Sequence, residues 1–334
     1  MTKTTLRTSS YLAFAFALAA GTSIGAEGPP TWAYGTQLSP ASAAAAARYA
    51  REHPHVRSGK LLQVPGSSLR FTERQINDPY GPADWFPGDH PKMPEIVAHG
   101  RKPQIMACAL CHYPNGKGRS ENAGVAGLPV SYFIHQIHDF RNGLRHSADP
   151  RKKNTNAMIR FAKAMTDAEV QEAAEYFGSM KWTPWIKVVE TRSVPKTRSS
   201  YGMFLPIEGA GKEPLGERIV EVPVSVKATE TLRNPRSGFI AYVPVGSIEK
   251  GRALVTTGGG KTVRCAICHG KNLMGMGPVP EIAGRSPSYL VRQMYDIQQG
   301  TRRGEWAALM KPVVSGLSEE DMLDIAAYVS SRKP

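Results

Sequence analysis

The words "CALCH" at Cys108–His112 and "CAICH" at 265–269 hold all four cysteines of a 334-residue chain. In an oxidising compartment four cysteines can form two disulfides. A structural zinc site wants four ligands, and a dithiol redox centre needs no histidine after its second cysteine. C-x-x-C-H answers a different need, the attachment of c-type haem. Two thiols three positions apart on one helical turn can each add to a vinyl group of the porphyrin, and the next residue then faces the iron from the same side. The pattern predicts two haems c. Cys108 and Cys111 hold one and Cys265 and Cys268 the other, with His112 and His269 as axial ligands.

The likeness of the two halves continues past these words. A separation of 157 residues carries Cys108 onto Cys265, and it also carries "SYFIHQIHDFRNGLR" (131–145) onto "SYLVRQMYDIQQGTR" (288–302). Ser, Tyr, Gln, Asp, Gly and Arg coincide. After a small length difference "MIRFAKAMTDAEVQEAAEYF" (158–177) lies on "MKPVVSGLSEEDMLDIAAYV" (310–329). This is a duplicated unit of about 90 residues. Thr166 with Glu169, and Ser318 with Asp321, read as capping boxes that start the last helix of each unit. Val170, Ala173, Ala174 and Phe177 follow the helical period, as do Met322, Ile325, Ala326 and Val329, and these stripes predict a core that closes the pocket.

The sixth ligand decides what such an iron can do. Met158 and Met310 occupy equivalent places in the repeat. A thioether favours Fe(II), raises the reduction potential and, opposite histidine, leaves the iron closed to substrates. Most methionines are core filler, but the same position in both units argues for ligation. For the first unit His146, His138 and Met165 stay open as substitutes. Arg145 and Arg302 are also equivalent, and either pair with haem propionates through bidentate hydrogen bonds or stand at the surface. Tyr132 and Tyr289 are expected to pack against the pockets.

On these residues the chain resembles the two-haem, two-domain class I cytochromes c of bacteria, over 93–182 and 246–334. The resemblance implies an all-α fold of two tandem class I cytochrome c domains and the role of a periplasmic electron carrier. In that family a proline four residues before a glycine offers its carbonyl to the haem-binding histidine. Pro280 and Gly284 match this; in the first unit Ala123 and Gly127 stand there, so the proline is missing. A hydrogen bond to that second ring nitrogen fixes the imidazole and strengthens it as a ligand.

Outside the repeat the reading is coarser. A basic start at Lys3 and Arg7, the apolar run "YLAFAFALAA" and small residues up to Ala26 predict a signal peptide over 1–26, hence export to the periplasm. An irregular N-terminal extension follows at 27–92, with one short helix over 41–53. The connector at 183–245 carries β-like pieces, "WIKVVET", "RIVEVPVSV" and "GFIAYVPV", and reads as an ordered, partly extended wrap around the two units. The formal charge is +14, which Lys3 and Arg7 would lower by two on cleavage. It suits redox partners with acidic docking surfaces. Nucleic acid is not expected, because no Lys/Arg cluster interleaves with aromatics, and no stretch after the signal is apolar enough to span a membrane.

Three functions remain in view. The first is transfer of single electrons between redox proteins, with no catalytic residues. The second is a di-haem peroxidase, which needs one open iron, a nearby acid–base group and unlike domains. The third is the cytochrome subunit of a periplasmic dehydrogenase complex.

Overall fold

The computed structural model describes residue 1, 28–54 and 59–334. The apolar run read as a signal segment lies outside the described residues. Each repeat unit is a small set of helices. The first contains Glu95–Ala98, the attachment turn Cys108–His112, Val130–Arg141, Lys153–Ala164 and Asp167–Gly178. The second contains Ser247–Thr257, Ala266–His269, Pro287–Gln298, Glu305–Val314 and Glu319–Ser330. Both final helices begin in reciprocal capping boxes, Thr166 with Glu169 and Ser318 with Asp321. Each box satisfies backbone donors that have no partner within the helix.

The apolar stripes face inward. Val170, Ala173, Ala174 and Phe177 are buried in one core with Phe133, Ile137 and Phe140, and Met322, Ile325, Ala326 and Val329 in another with Val255, Val291 and Tyr295. Hydrogen bonds repeat along with the sequence. Gly127 donates to the Phe177 carbonyl and Gly284 to that of Val329, both at 3.0 Å. Gly118 donates to His112 and Gly275 to His269, both at 2.8 Å, fixing the loop that leaves each attachment turn.

In the second unit the first and last helices nearly touch backbone to backbone at Gly251. A Cβ there would lie 1.9 Å from the Asp324 carbonyl oxygen and 2.9 Å from Cβ of Tyr328. Gly251→Ala must therefore push two helices apart, and we expect it to cost about 3 kcal/mol. A denaturant titration checks this, and a loss below about 0.5 kcal/mol, the scale of an ordinary surface change, would contradict it.

The expectation of an all-α chain needs amending: the molecule is mainly helical with small sheets. Ile186–Glu190 pairs parallel with Phe239–Val243, which pairs antiparallel with Val220–Pro223. Ser193–Pro195 pairs with Lys212–Pro214, and Thr197–Ser200 with Met203–Pro206. The β-like pieces of the connector thus find each other across long separations. Val194, Phe204, Leu215, Val220 and Val222 give this sheet region a core of its own.

The extension is bound at both ends. Ahead of a helix over Pro40–Glu52, the Tyr34 hydroxyl donates to Asp296 at 2.6 Å, and Arg292 donates to the Ala33 carbonyl at 2.6 Å. These bonds tie the extension to the second unit. Further along, the Ala107 amide donates to Pro79 at 2.9 Å, Trp85 Nε1 donates to the Leu232 carbonyl at 2.6 Å, and His90 Nδ1 lies 3.0 Å from the Tyr176 hydroxyl. That part covers the first unit.

Candidate haem sites

Two cavities open beside the two attachment turns. The first is lined by Cys111, His112, Phe133, Met158 and Phe161, and the second by Cys265, Cys268, His269, Pro280 and Met310. Attachment histidine and repeat methionine thus line one cavity in each unit. The turns bring this about, because C-x-x-C-H is a single helical turn whose side chains share a face. Both histidines hold their rings alike. His112 Nδ1 lies 2.9 Å from the Ala123 carbonyl oxygen and His269 Nδ1 lies 2.9 Å from that of Pro280. The backbone oxygen serves with or without proline. Burial holds both imidazoles below the usual histidine range. Each is therefore neutral near pH 7, with Nδ1–H donating and Nε2 free to bind a metal.

The cysteines are not paired with each other. Burial pushes Cys108 up to about 12 and Cys265 up to about 11, so neither is a reactive thiolate in the folded chain. Among the described residues no group of three or more His, Cys, Asp and Glu could hold a metal ion. A zinc cluster therefore lacks its ligands among the described residues.

Whether the cavities suit a porphyrin with two carboxylates can be judged from polar atoms left without partners. Lys152 Nζ in the first cavity, and Arg302 Nε and Trp306 Nε1 in the second, are buried and make no hydrogen bond. Orphaned donors in a largely apolar pocket are what an anionic group with an apolar body would satisfy. Burial, then the nearby Arg292 guanidinium, pushes Lys152 down to about 7. The residues fit haem c.

Arg145 and Arg302 lie deeper than a surface position. Arg145 donates to Gln136 at 2.8 Å in its own unit, and across the boundary to Gln293 at 2.9 Å and Tyr289 at 3.2 Å. Arg302 mirrors it, reaching Gln293 at 3.0 Å, Gln136 at 2.8 Å and Tyr132 at 2.8 Å. Their backbones meet in an antiparallel bridge. Each also lines the cavity of its own unit, while Tyr289 and Gln293 reach into the first cavity and Tyr132 into the second. Each pocket is therefore finished by the other unit.

The alternatives for the first methionine separate as well. His146 lines the first cavity; Met165 is packed in the core and His138 lies 3.5 Å from Asp167. Sequence reasoning missed Met294, a second thioether on the second cavity, and it missed Lys152 and Trp306. For Met294 the helical period of 288–302 held the signal, since Leu290, Gln293, Met294 and Ile297 recur at i, i+3, i+4 and i+7 and all line the second cavity. For Lys152, outside the matched words, there was none.

The cytochrome c family description matches residues 248–333. Cytochrome c-554(548) of Halomonas halodenitrificans is 44% identical over 70 residues, which are 21% of this chain and 84% of that protein. The chain belongs to the cytochrome c family. A longer similarity, 23% identical over 236 residues, covers 70% of this cytochrome and 82% of the thiosulfate dehydrogenase electron acceptor of Stutzerimonas stutzeri. Among solved structures, thiosulfate dehydrogenase (TsdBA) from Marichromatium purpuratum aligns at 25% identity and a TM-score of 0.46, over 71% of this chain and 39% of that one. The cytochrome is a haem c protein and an electron carrier. No helix among its described residues is long and apolar enough to cross a membrane.

Proposed function

We propose that this cytochrome is a periplasmic di-haem carrier that passes single electrons between redox proteins, with each iron held between histidine and methionine. What supports the reading is that each cavity is lined by the C-x-x-C-H histidine and the repeat methionine of the same unit. Haem bound there supplies a one-electron Fe(II)/Fe(III) couple. Cys108 and Cys111, and Cys265 and Cys268, tether it. His112 and His269 present Nε2 to the metal while the Ala123 and Pro280 carbonyls hold their rings. Met158 and Met310 would supply a soft thioether donor, which would keep the site closed and the potential high. Phe133, Phe161 and Phe177 in the first unit, with Val291, Ile325 and Val329 in the second, exclude water.

Lys152 and Arg302 would offer donors to propionates, and the Arg145–Arg302 cluster joins the two cavities, which supports electron exchange between the units. The likeness to a thiosulfate dehydrogenase electron acceptor favours a dehydrogenase as donor. Peroxidase chemistry is not favoured: both units carry the same methionine and the same closing helix.

Mass spectrometry of the mature protein, with an optical redox titration, tests the reading. Two haem adducts per chain, two one-electron waves and methionine–iron charge-transfer absorption in the ferric form are expected. A single adduct, or turnover of hydrogen peroxide by the half-reduced protein, would refute it.

A further inference from the structure

The repeat makes the two attachment turns alike, and the rest of the chain makes them different. Over the first turn the connector and extension close down. Asn115 Nδ2 donates to the Pro235 carbonyl at 2.7 Å, Arg233 lies 6.0 Å from the centre of the Tyr113 ring, and the Ala107 amide is bonded to Pro79. Ala109 is 2% exposed. Among the described residues no such cover lies over the second turn. Beside it Ile267, Met274 and Met276, none of which lines the second cavity, are 56%, 44% and 56% exposed.

Beside this apolar surface runs an open groove lined by Arg264, Arg332 and Lys333 together with Val255, Ile267 and Tyr328. No Asp or Glu side chain lines it. Arg264 lines both this groove and the second cavity, so the cationic surface adjoins the site itself. Arg332 stacks over Tyr328 at 4.6 Å, which holds one of the charges in place.

We propose that the second unit is the port at which redox partners dock, and that the partner is an acidic one-electron protein. Its carboxylates meet Arg264, Arg332 and Lys333, and an apolar patch of its surface covers Ile267, Met274 and Met276. One electron crosses there from the reduced partner to the ferric centre of the second unit; no bond forms or breaks. The connector and extension keep the partner off the first attachment turn, so the first unit is filled from the second. The steering is electrostatic and the contact small, as rapid release between electron transfers requires. This rests on the electron-carrier reading above.

Flavodoxin serves as the acidic one-electron probe. Calorimetry of oxidised flavodoxin with the ferric holoprotein reads binding alone; stopped-flow with flavodoxin hydroquinone reads electron transfer. The double variant R264E/K333E should weaken binding and slow the second-order rate at low ionic strength by about tenfold or more, and the difference should vanish in high salt. K163E, an equal charge change per site on an exposed helix of the first unit, should alter either by less than about twofold. Unchanged binding in R264E/K333E, an equal loss in K163E, or no salt-dependent binding of the wild type overturns the proposal. Haem count and reduction by dithionite are measured on every sample. Normal values there alongside a failed docking result refute the port and leave the carrier standing, whereas missing haem refutes the carrier.

Discussion

Met310→Leu should remove the methionine–iron charge-transfer absorption of the second haem and lower its potential by on the order of 100 mV or more, a modest share of the roughly 0.8 V span that axial ligation commands. Leucine keeps the volume, so packing should change by less than about 1.5 kcal/mol. The thioether is what is lost. Without it the ferric iron loses its preference for Fe(II) and becomes open to cyanide, which the wild type should take up slowly. Met158→Leu should act in the same way on the first haem, leaving the second untouched. The comparison has a built-in rival, because Met294 also lines the second cavity. If Met294→Leu abolishes the band and Met310→Leu does not, the ligand is reassigned. If His146→Ala rather than Met158→Leu perturbs the first haem, histidine ligates there. Optical spectra of the four single variants, with a redox titration of each, decide among these outcomes.

The second large effect concerns the boundary between units. Gln136 Oε1 accepts from both guanidinium groups at 2.8 Å, and Gln293 Oε1 accepts from both at 2.9 and 3.0 Å. Two cations therefore share two amide oxygens, and the Tyr289 and Tyr132 hydroxyls complete the set. Removing one cation would strip buried acceptors of charged donors, each such bond being worth roughly 1.5–3 kcal/mol. Some mutual repulsion is relieved, so we expect Arg302→Met to cost about 3 kcal/mol in total. The double variant Arg145→Met/Arg302→Met should go further and split unfolding into two transitions, one per unit. Electron exchange between the haems should slow in step. Differential scanning calorimetry and flash-induced reduction measure the two effects. A double variant that melts as one unit, with exchange undisturbed, would show that the cluster is incidental to the coupling.

Much of the candidate site could be read from the sequence because its chemistry is local. C-x-x-C-H is one turn of helix, and Thr166-x-x-Glu169 and Ser318-x-x-Asp321 are caps whose partners lie three residues apart. The stripes of Val170–Phe177 and Met322–Val329 follow from 3.6 residues per turn. The duplication then doubled each observation, which turned Met158 and Met310 from two ordinary methionines into candidates.

The β-like connector pieces were visible as such, but their pairing was not. A parallel match between Ile186–Glu190 and Phe239–Val243 depends on where the chain returns, which no short window contains. The Arg145–Tyr289 bond spans 144 residues, and the Tyr34–Asp296 bond spans 262. Lys152 looked like any lysine in a basic run, "RKK", until folding buried its ammonium in a cavity.

What the sequence by itself determined is the pair of C-x-x-C-H turns, the helical units and their repetition, because these depend on neighbours within a few residues. What only the tertiary structure decided is the inequality of the two halves: which attachment turn is covered, which is open, and how the arginines cross the boundary. Burial and long-range hydrogen bonds belong to the folded arrangement of distant segments, so two nearly identical words came to occupy different surroundings.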